Sequence, residues 1–429
     1  MKVTVIGAGY VGLVAACCLV NSGHQVMCIE RDEEKRNKLL AGVVPFYEEG
    51  LEDFLVRGLA SGRLTFGTDI CEGMDARVVM VAVGTPSQPD GRIDLSQIYE
   101  VVRKIAQESV EPMVLVMKST VPPGLGLQLQ QRFLNQQGER IAYVSNPEFL
   151  REGQAVRDWY HPDRIVLGGD NQQAVKLIRE LYHDIDASVC EMDISSAEMV
   201  KYASNAFLAT KISFINEIAN LCERVKADIE PVAWAVGMDN RIGRHFLQAG
   251  LGYGGSCFPK DTKGLDFIST LNGHTFNLLK AVIEVNSRQR IQAVRKLSDL
   301  LGTLCGKKIA VLGVAFKPNT DDIRESPALD IIRILQDEGA EVHCYDPMAD
   351  PVRVKLLLPE VYLGQDIPRT VEGCHAVVVV TEWREFIDFD WQMVKERMIK
   401  PYCVLDGRNC LNAGELRELG FQYMGIGRR

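Results

Sequence analysis

Hydrophobic residues along this chain fall into short continuous runs that alternate with longer, helix-spaced segments. Val3-Thr4-Val5-Ile6 leads into a glycine loop, an apolar stretch to Val20, a turn at Asn21-Ser22-Gly23 and a second run ending at Glu30. Further runs occupy Val78–Val83, Met113–Met117 and Ile141–Val144, and are closed by Gly84-Thr85-Pro86, Lys118-Ser119-Thr120 and Ser145-Asn146-Pro147-Glu148. Apolar runs without alternation belong to strands covered on both faces, and helices between them make the sheet parallel. In such a sheet ligands gather beyond the carboxyl ends of the strands, so these corners are expected to line one crevice. Turn chemistry alone explains any single corner; it is a poorer account of the set.

The middle of the chain behaves differently. From about Ser195 to Val225 there is neither glycine nor proline, and apolar positions recur at helical spacing. That predicts a helix of about thirty residues, on the order of 45 Å long. A helix of this length bridges domains or pairs with a second subunit, and a homodimer through this region is expected. The opening pattern then returns. Lys308 through Gly313 echoes the first strand, and Gly339 through Asp346 echoes Gly23 through Glu30. Later strands near Ala376–Val380 and Tyr402–Leu405 end at Thr381-Glu382-Trp383 and Asp406-Gly407-Arg408. The opening glycine loop is not repeated; a longer insert, Phe316 through Ser326, takes its place. The expectation is an α/β protein with two Rossmann-like doubly wound domains joined by a long central helix, divided into residues 1–194, 195–296 and 297–429.

Composition narrows the classes. A chain of 429 residues exceeds what one core serves. A net charge of −9 leaves no basic footprint for nucleic acid, and no apolar run is long enough to cross a membrane. The 12 cysteines lack CxxC pairs or a disulfide framework, and the 7 histidines lack ligand spacing. Reduced thiols and no metal site are therefore expected. The opening MKVTVIGAGY reads as a strand entering a loop rather than as a secretion signal, and a cytoplasmic setting is expected.

Two stretches carry chemistry. Gly7-Ala8-Gly9-Tyr10-Val11-Gly12 has the G-x-G-x-x-G spacing of a dinucleotide phosphate loop, in register with a strand before it and a helix after it. Glu30, at the end of the second strand, suits the ribose hydroxyls and repels a 2′-phosphate, so NAD is expected rather than NADP. The other stretch is Gly252-Tyr253-Gly254-Gly255-Ser256-Cys257-Phe258-Pro259-Lys260-Asp261. Glycines admit close approach, and proline suits a first helical turn, so the stretch reads as a loop entering a helix with Cys257 at the junction. A thiol there faces the positive end of the helix dipole, which favours the thiolate. A buried structural cysteine is the plainer reading of most cysteines.

The set GAGYVG, VAVGTP, KSTVPPG, SNPEFLREG, the Lys201/Asn205 pair, GYGGSCFPKD and FKPNTDDIRES resembles the nucleotide-sugar 6-dehydrogenases of the UDP-glucose/GDP-mannose dehydrogenase family, in order along essentially the whole chain. The resemblance implies two NAD-dependent oxidations of a sugar 6-hydroxymethyl to a carboxylate, with UDP-glucose the best-matching substrate. It implies Cys257 as nucleophile through a thiohemiacetal and thioester, with Lys201, Asn205, Asp261, Glu148 and Thr120 around the reacting oxygen and the hydrolytic water. How base duty is shared among Glu148, Asp261 and water stays open. NAD contacts are implied for Gly7, Gly9, Tyr10, Val11, Gly12, Glu30, Lys35, Gly84, Thr85, Thr120, Glu152, Lys260 and Arg324. The sugar-nucleotide strip is implied to comprise Glu148, Phe149, Leu150, Arg151 and Glu152, then Lys201, Asn205, Phe246, Leu247, Gln248, Ala249, Gly250, Gly254, Lys317 and Arg408. Arg241 resembles an arginine that reaches a neighbouring subunit's site. Gln248 departs from relatives that carry lysine there.

Three rivals make different demands. A β-hydroxyacid dehydrogenase shares the first domain and a lysine on the long helix, but transfers one hydride and needs no cysteine. GDP-mannose or an N-acetylated sugar nucleotide would change the substrate and keep the chemistry. A non-catalytic nucleotide-sugar sensor would have little use for Cys257, Lys201 and Asp261 together.

Overall fold

A computed structural model describes residues 1–428, the side chains of residues 137 and 139 excepted. The chain separates into two compact units, Met1–Ser204 and the remainder from Asn205. In the first unit the strands are β1 (Lys2–Ile6), β2 (Gln25–Ile29), β3 (Leu64–Gly67), β4 (Val78–Val81), β5 (Met113–Met117), β6 (Ile141–Ser145), β7 (Ile165–Gly168) and β8 (Val189–Met192). They form one sheet in the order β3-β2-β1-β4-β5-β6-β7-β8. Neighbours run parallel except β6 and β7. The register aligns Ile6 with Val81, Val81 with Met117 and Met117 with Ser145, which puts the expected corners on one edge. β4 and β5 are buried at every position, the reason their sequences show no alternation. Helix α1 (Tyr10–Asn21) crosses from β1 to β2 and is buried from Gly12 to Val20.

The second unit holds β9 (Lys308–Leu312), β10 (Glu341–Tyr345), β11 (Tyr362–Leu363), β12 (Ala376–Val379), β13 (Cys403–Asp406) and β14 (Gln422–Gly425), ordered β11-β10-β9-β12-β13-β14 and parallel throughout. Each sheet is covered on both faces by its own apolar clusters. The five helices needed below are α2 (Leu125–Leu129), α3 (Ile194–Val225), α4 (Phe258–Leu271), α5 (Asn277–Leu301) and α6 (Pro327–Asp337). The two parallel-sheet, Rossmann-like domains are joined by α3, which runs unbroken for 32 residues, as its freedom from glycine and proline leads one to expect.

Small differences have local causes. β4 stops at Val81 rather than Val83, although Ala82 N–H still donates to the Ile6 carbonyl at 2.9 Å. β13 begins at Cys403 rather than Tyr402, whose φ of +58° is incompatible with a strand. Helix α5 runs for 25 residues and is not apparent in the hydrophobic pattern. Its buried stripe runs Leu279, Val282, Asn286, Gln289, Arg290, Ala293 and Leu297, and polar residues in mid-stripe hide the apolar period. Among the described residues no helix is long and apolar enough to cross a membrane.

Candidate active site

The loop between β1 and α1 is built for an anion. A Cβ on Gly12 would overlap the Gly7 carbonyl, so only glycine lets the helix come this close to the strand. A Cβ on Gly9 would meet nothing within 4 Å, which leaves that side of the loop open. Gly9 is also the N-cap of α1 and offers no side chain to the helix's first N–H groups. An open glycine at an uncapped helix N-terminus fits a pyrophosphate. Glu30 lies just past β2, 8% exposed; its carboxylate accepts from Asp32 N–H at 3.1 Å and from the Lys35 ammonium at 2.8 Å. Both predicted residues thus share one corner, with the carboxylate held in a set orientation. The Tyr10 phenol donates to Glu48, and Gly153 N–H reaches the Tyr10 oxygen at 2.6 Å, so the loop meets the segment that carries Glu152. Burial, then Glu48, pushes the Tyr10 phenol well above its ordinary range. Thr85 donates to the Thr120 carbonyl at 3.1 Å, and the Ser119 hydroxyl donates to the Val83 carbonyl at 2.7 Å. The corners after β4 and β5, with Gly84 in the first, are therefore pinned together.

At the corner after β6, Glu148 is nearly buried and accepts from Lys201 at 2.8 Å and from Leu150 N–H at 2.6 Å. Burial alone would raise the Glu148 carboxyl; the Lys201 ammonium and its hydrogen bond, Leu150 N–H and buried Lys118 outweigh it, and the group titrates below the usual glutamate value. It is an anion at neutral pH, able to accept a proton. Lys118 is held by Asn146 at 3.0 Å and Tyr182 at 3.2 Å, and burial, only partly offset by Glu148, lowers its pKa to about 8. Phe149 lies under the Arg164 guanidinium at 3.6 Å, with the Lys201 ammonium 5.4 Å from its ring. Arg151 is engaged by Asp158 through its backbone and side chain.

In the second unit Cys257 caps α4, with Pro259 in the first turn, as its sequence context leads one to expect. The Ser256 hydroxyl lies 3.6 Å from the Cys257 sulfur. Asp261, 1% exposed, accepts from Asn205 and from Lys260, both at 2.5 Å. Asn205 and Asp261 are thereby brought together, while Lys260 is occupied by Asp261. Gly255 N–H donates to the Arg324 carbonyl at 3.0 Å, and the Arg324 guanidinium is paired with Asp322 at 2.8 Å. Arg408 donates to the Phe316 carbonyl at 3.2 Å and to that of Val380 at 2.6 Å, beside Glu382. The insert bearing Lys317 and Arg324 therefore meets both the cysteine loop and Arg408. Leu247 and Ala249 turn into the apolar core and can offer a ligand only backbone, whereas Gln248 is exposed. Gly250 N–H donates to Asn216 at 2.8 Å. Arg241 is fully open to solvent and paired only locally, with Asp239 at 2.6 Å.

Three supports were not read from the sequence. Asn286 and Arg290 of α5 clasp the cysteine loop: Asn286 accepts from Tyr253 N–H at 2.7 Å, and both side chains donate to the Tyr253 carbonyl. Glu198 of α3 accepts from Gly124 and Gly126 N–H. Nothing in the linear pattern marks these three as buried, since each stands in a helix that carries polar residues on its exposed face as well. No cluster of three or more His, Cys, Asp or Glu suited to a metal occurs among the described residues.

Comparison with known proteins gives one answer along the whole chain. Profiles of the UDP-glucose/GDP-mannose dehydrogenase family match its NAD binding domain at residues 1–186, its central domain at 195–288 and its UDP binding domain at 310–413. The chain is 44% identical over 430 residues to UDP-glucose 6-dehydrogenase TuaD of Bacillus subtilis, covering 100% of this chain and 93% of that one. A UDP-glucose dehydrogenase structure from the archaeon Pyrobaculum islandicum superposes with a TM-score of 0.93 at 38% identity, covering 100% and 98%. A UDP-D-ManNAc dehydrogenase structure from Pyrococcus horikoshii gives 0.90 at 26%, covering 100% and 99%. With the dinucleotide loop, the cysteine at the α4 N-cap and the second parallel sheet all in place, the chain belongs to the UDP-glucose/GDP-mannose dehydrogenase family.

Proposed function

We propose that this chain is the NAD-dependent enzyme that oxidises UDP-glucose to UDP-glucuronate, with Cys257 carrying the half-oxidised sugar. The supporting observation is Cys257 at the N-terminus of α4, one turn before an Asp261 that is buried against Asn205 and Lys260. Gly7, Gly9, Tyr10, Val11, Gly12, Glu30, Lys35, Thr85 and Thr120 would hold NAD, which when bound accepts a hydride in each of the two oxidations. The chain's own residues supply the rest. The 6-hydroxyl proton passes to a neighbouring carboxylate through water as the first hydride leaves, and the Lys201 ammonium and Asn205 amide, one turn apart on α3, stabilise the developing oxyanion. The Cys257 thiolate adds to the aldehyde carbon to give a thiohemiacetal, a carbon that again bears a removable hydride. Its loss leaves a thioester; water deprotonated by an anionic carboxylate attacks it and releases the acid and the thiol. Glu148, held ionised by Lys201, suits that base role.

Lys317 and Arg408 offer cations for the diphosphate. On α3, Phe207, Phe214 and Leu221 stand seven residues apart and are 66%, 53% and 54% exposed in the single chain. That stripe supports a dimer, with exposed Arg241 as the residue offered to the neighbour's site; a monomer mass by light scattering would remove this part of the reading. The three-part division 1–194, 195–296 and 297–429 and a cytoplasmic setting belong to the same proposal.

The decisive experiment is product analysis with NAD and a panel of UDP- and GDP-sugars. Two NADH per UDP-glucose are expected, with weaker turnover of the others. Cys257→Ser is expected to bind NAD normally and to lower uronate formation by about 10²–10⁴-fold, the scale lost with a catalytic group. Undiminished uronate from that variant would exclude the thioester route. Preference for a GDP- or N-acetylated sugar would change the substrate and leave the chemistry standing.

A further inference from the structure

Glu198 lies on α3 three residues before Lys201 and is 2% exposed. Its carboxylate accepts from Gly124 N–H at 2.6 Å, from Gly126 N–H at 2.8 Å and from the Tyr143 hydroxyl at 3.3 Å. Gly124, with φ +88°, caps α2, and a Cβ on Gly126 would meet Ile194, Tyr143 and the Glu198 carboxylate itself within 2.8 Å. Loop, helix and strand β6 are thus cut to fit around one carboxylate. The loop it grips is the one that starts at Lys118 and contains Ser119 and Thr120, whose other end is pinned by Val83 and Thr85. One turn further along α3, Lys201 meets Glu148, just past the end of β6. The helix is therefore fastened to β6 and its neighbours at two levels, by an anion and then by a cation.

We infer that Glu198 is a positioning residue for the oxidation: by gripping the Thr120 loop from α3 it sets the height of the Lys201 ammonium against Glu148 and Thr120. This rests on the proposed roles of Lys201 and Thr120. The two backbone donors use separate oxygens of Glu198, so a carboxylate can hold both where an amide, with one acceptor, cannot, and the cost of burying it points to a use beyond packing. Burial pushes the Glu198 carboxyl up to about 7, against the lowering pull of the Gly126 and Gly124 N–H groups. Of the groups facing it, Tyr143 from β6 is itself pushed up by burial and the α2 segment presents backbone donors; one turn along α3, Lys201 is engaged by Glu148.

The sign of the pH effect separates positioning from simple support. A carboxyl with a raised folded-state pKa stabilises the fold at low pH, and that contribution is lost as pH rises towards 7. At pH 8 Glu198→Gln should therefore unfold thermally close to the parent. Its amide cannot accept from both glycines, however, so the loop shifts. The full-length variant is expected to lose about 10–100-fold in kcat, the cost of a misplacement near 1 Å, with a smaller rise in KM for NAD. Glu198→Asp, which keeps the anion, is expected to recover part of the rate. The parent's rate should fall below pH 7 along a limb that the Gln variant lacks. A Gln variant within two-fold of the parent from pH 6 to 9 would overturn the inference, as would loss of activity only in proportion to loss of folded protein. Lys201→Ala is the control: if it turns over normally, the reading of the site fails, and this inference with it.

Discussion

The second sheet repeats the order of the first six strands of the first sheet, which β7 and β8 extend, and the two part company at one loop. In each, the first strand ends at a glycine with nearly the same φ, +98° at Gly7 and +96° at Gly313. In each, that glycine's N–H donates to the end of the next strand, to Ile29 at 2.9 Å and to Tyr345 at 2.8 Å. The first domain then enters α1 at Tyr10, whereas the second takes the insert and reaches α6 only at Pro327. The acids that follow the second strands have opposite fates. Glu30 pairs with the Lys35 ammonium and accepts from Asp32 N–H. Asp346 bonds back to the loop of its own domain, accepting from Val314 N–H at 2.7 Å, Ala315 N–H at 2.8 Å and the Trp383 indole at 3.1 Å. Helix α6 is capped by Ser326, while α1 has no side-chain cap. The second domain has satisfied with its own side chains the donors that the first leaves for a ligand. A shared topology therefore says little about which nucleotide is bound; the destination of one carboxylate says a good deal.

The comparison can be broken most violently at Gly12. Gly12→Val has no room beside the Gly7 carbonyl, so the first domain should lose about 1–3 kcal/mol and NAD binding should become undetectable by titration. Gly9→Ala, which meets no neighbour, should weaken NAD binding with no change in thermal midpoint. Retained NAD affinity in Gly12→Val would end the argument from the loop. Asp346→Ala should cost about 1–3 kcal/mol in denaturant unfolding by stranding its donors, and should create no NAD site. Glu30→Ala should raise the NAD dissociation constant about ten-fold, leave sugar-nucleotide affinity alone and ease acceptance of NADP. The smallest effect is electrostatic. Lys118, with a folded pKa near 8 against an ordinary 10.5, makes stability rise with pH between those values. Lys118→Met should flatten that rise in thermal midpoint; an unchanged slope would mean the lysine is not buried as a cation.

Sequence alone exposed what rests on local rules. The glycine loop, the apolar strands, the unbroken long helix and the junction at Cys257 each follow from short-range sterics or periodicity. What stayed hidden depends on partners far along the chain. Glu198 meets Gly124 and Gly126 across more than seventy residues, and Asn286 meets Tyr253 across thirty-three. Nothing in a linear pattern distinguishes such a buried acid or amide from a solvent-facing one. Asp346 shows the same blindness in reverse, since its context echoes that of Glu30 and only its bonds to Val314, Ala315 and Trp383 tell them apart. Leu247 and Ala249, placed with the ligand strip by resemblance, bury their side chains in the core of the second unit, a packing no local pattern in the sequence announces.

The boundary between the two compact units falls inside α3, between Ser204 and Asn205. Lys201 and Asn205 belong to different units yet ride on the same rod, one turn, about 6 Å of axial rise, apart. Any hinge elsewhere in the molecule leaves that interval alone. The spacing of these two residues along the helix axis is thereby fixed, and lengthening the rod by a single residue between them would rotate one by about 100° relative to the other.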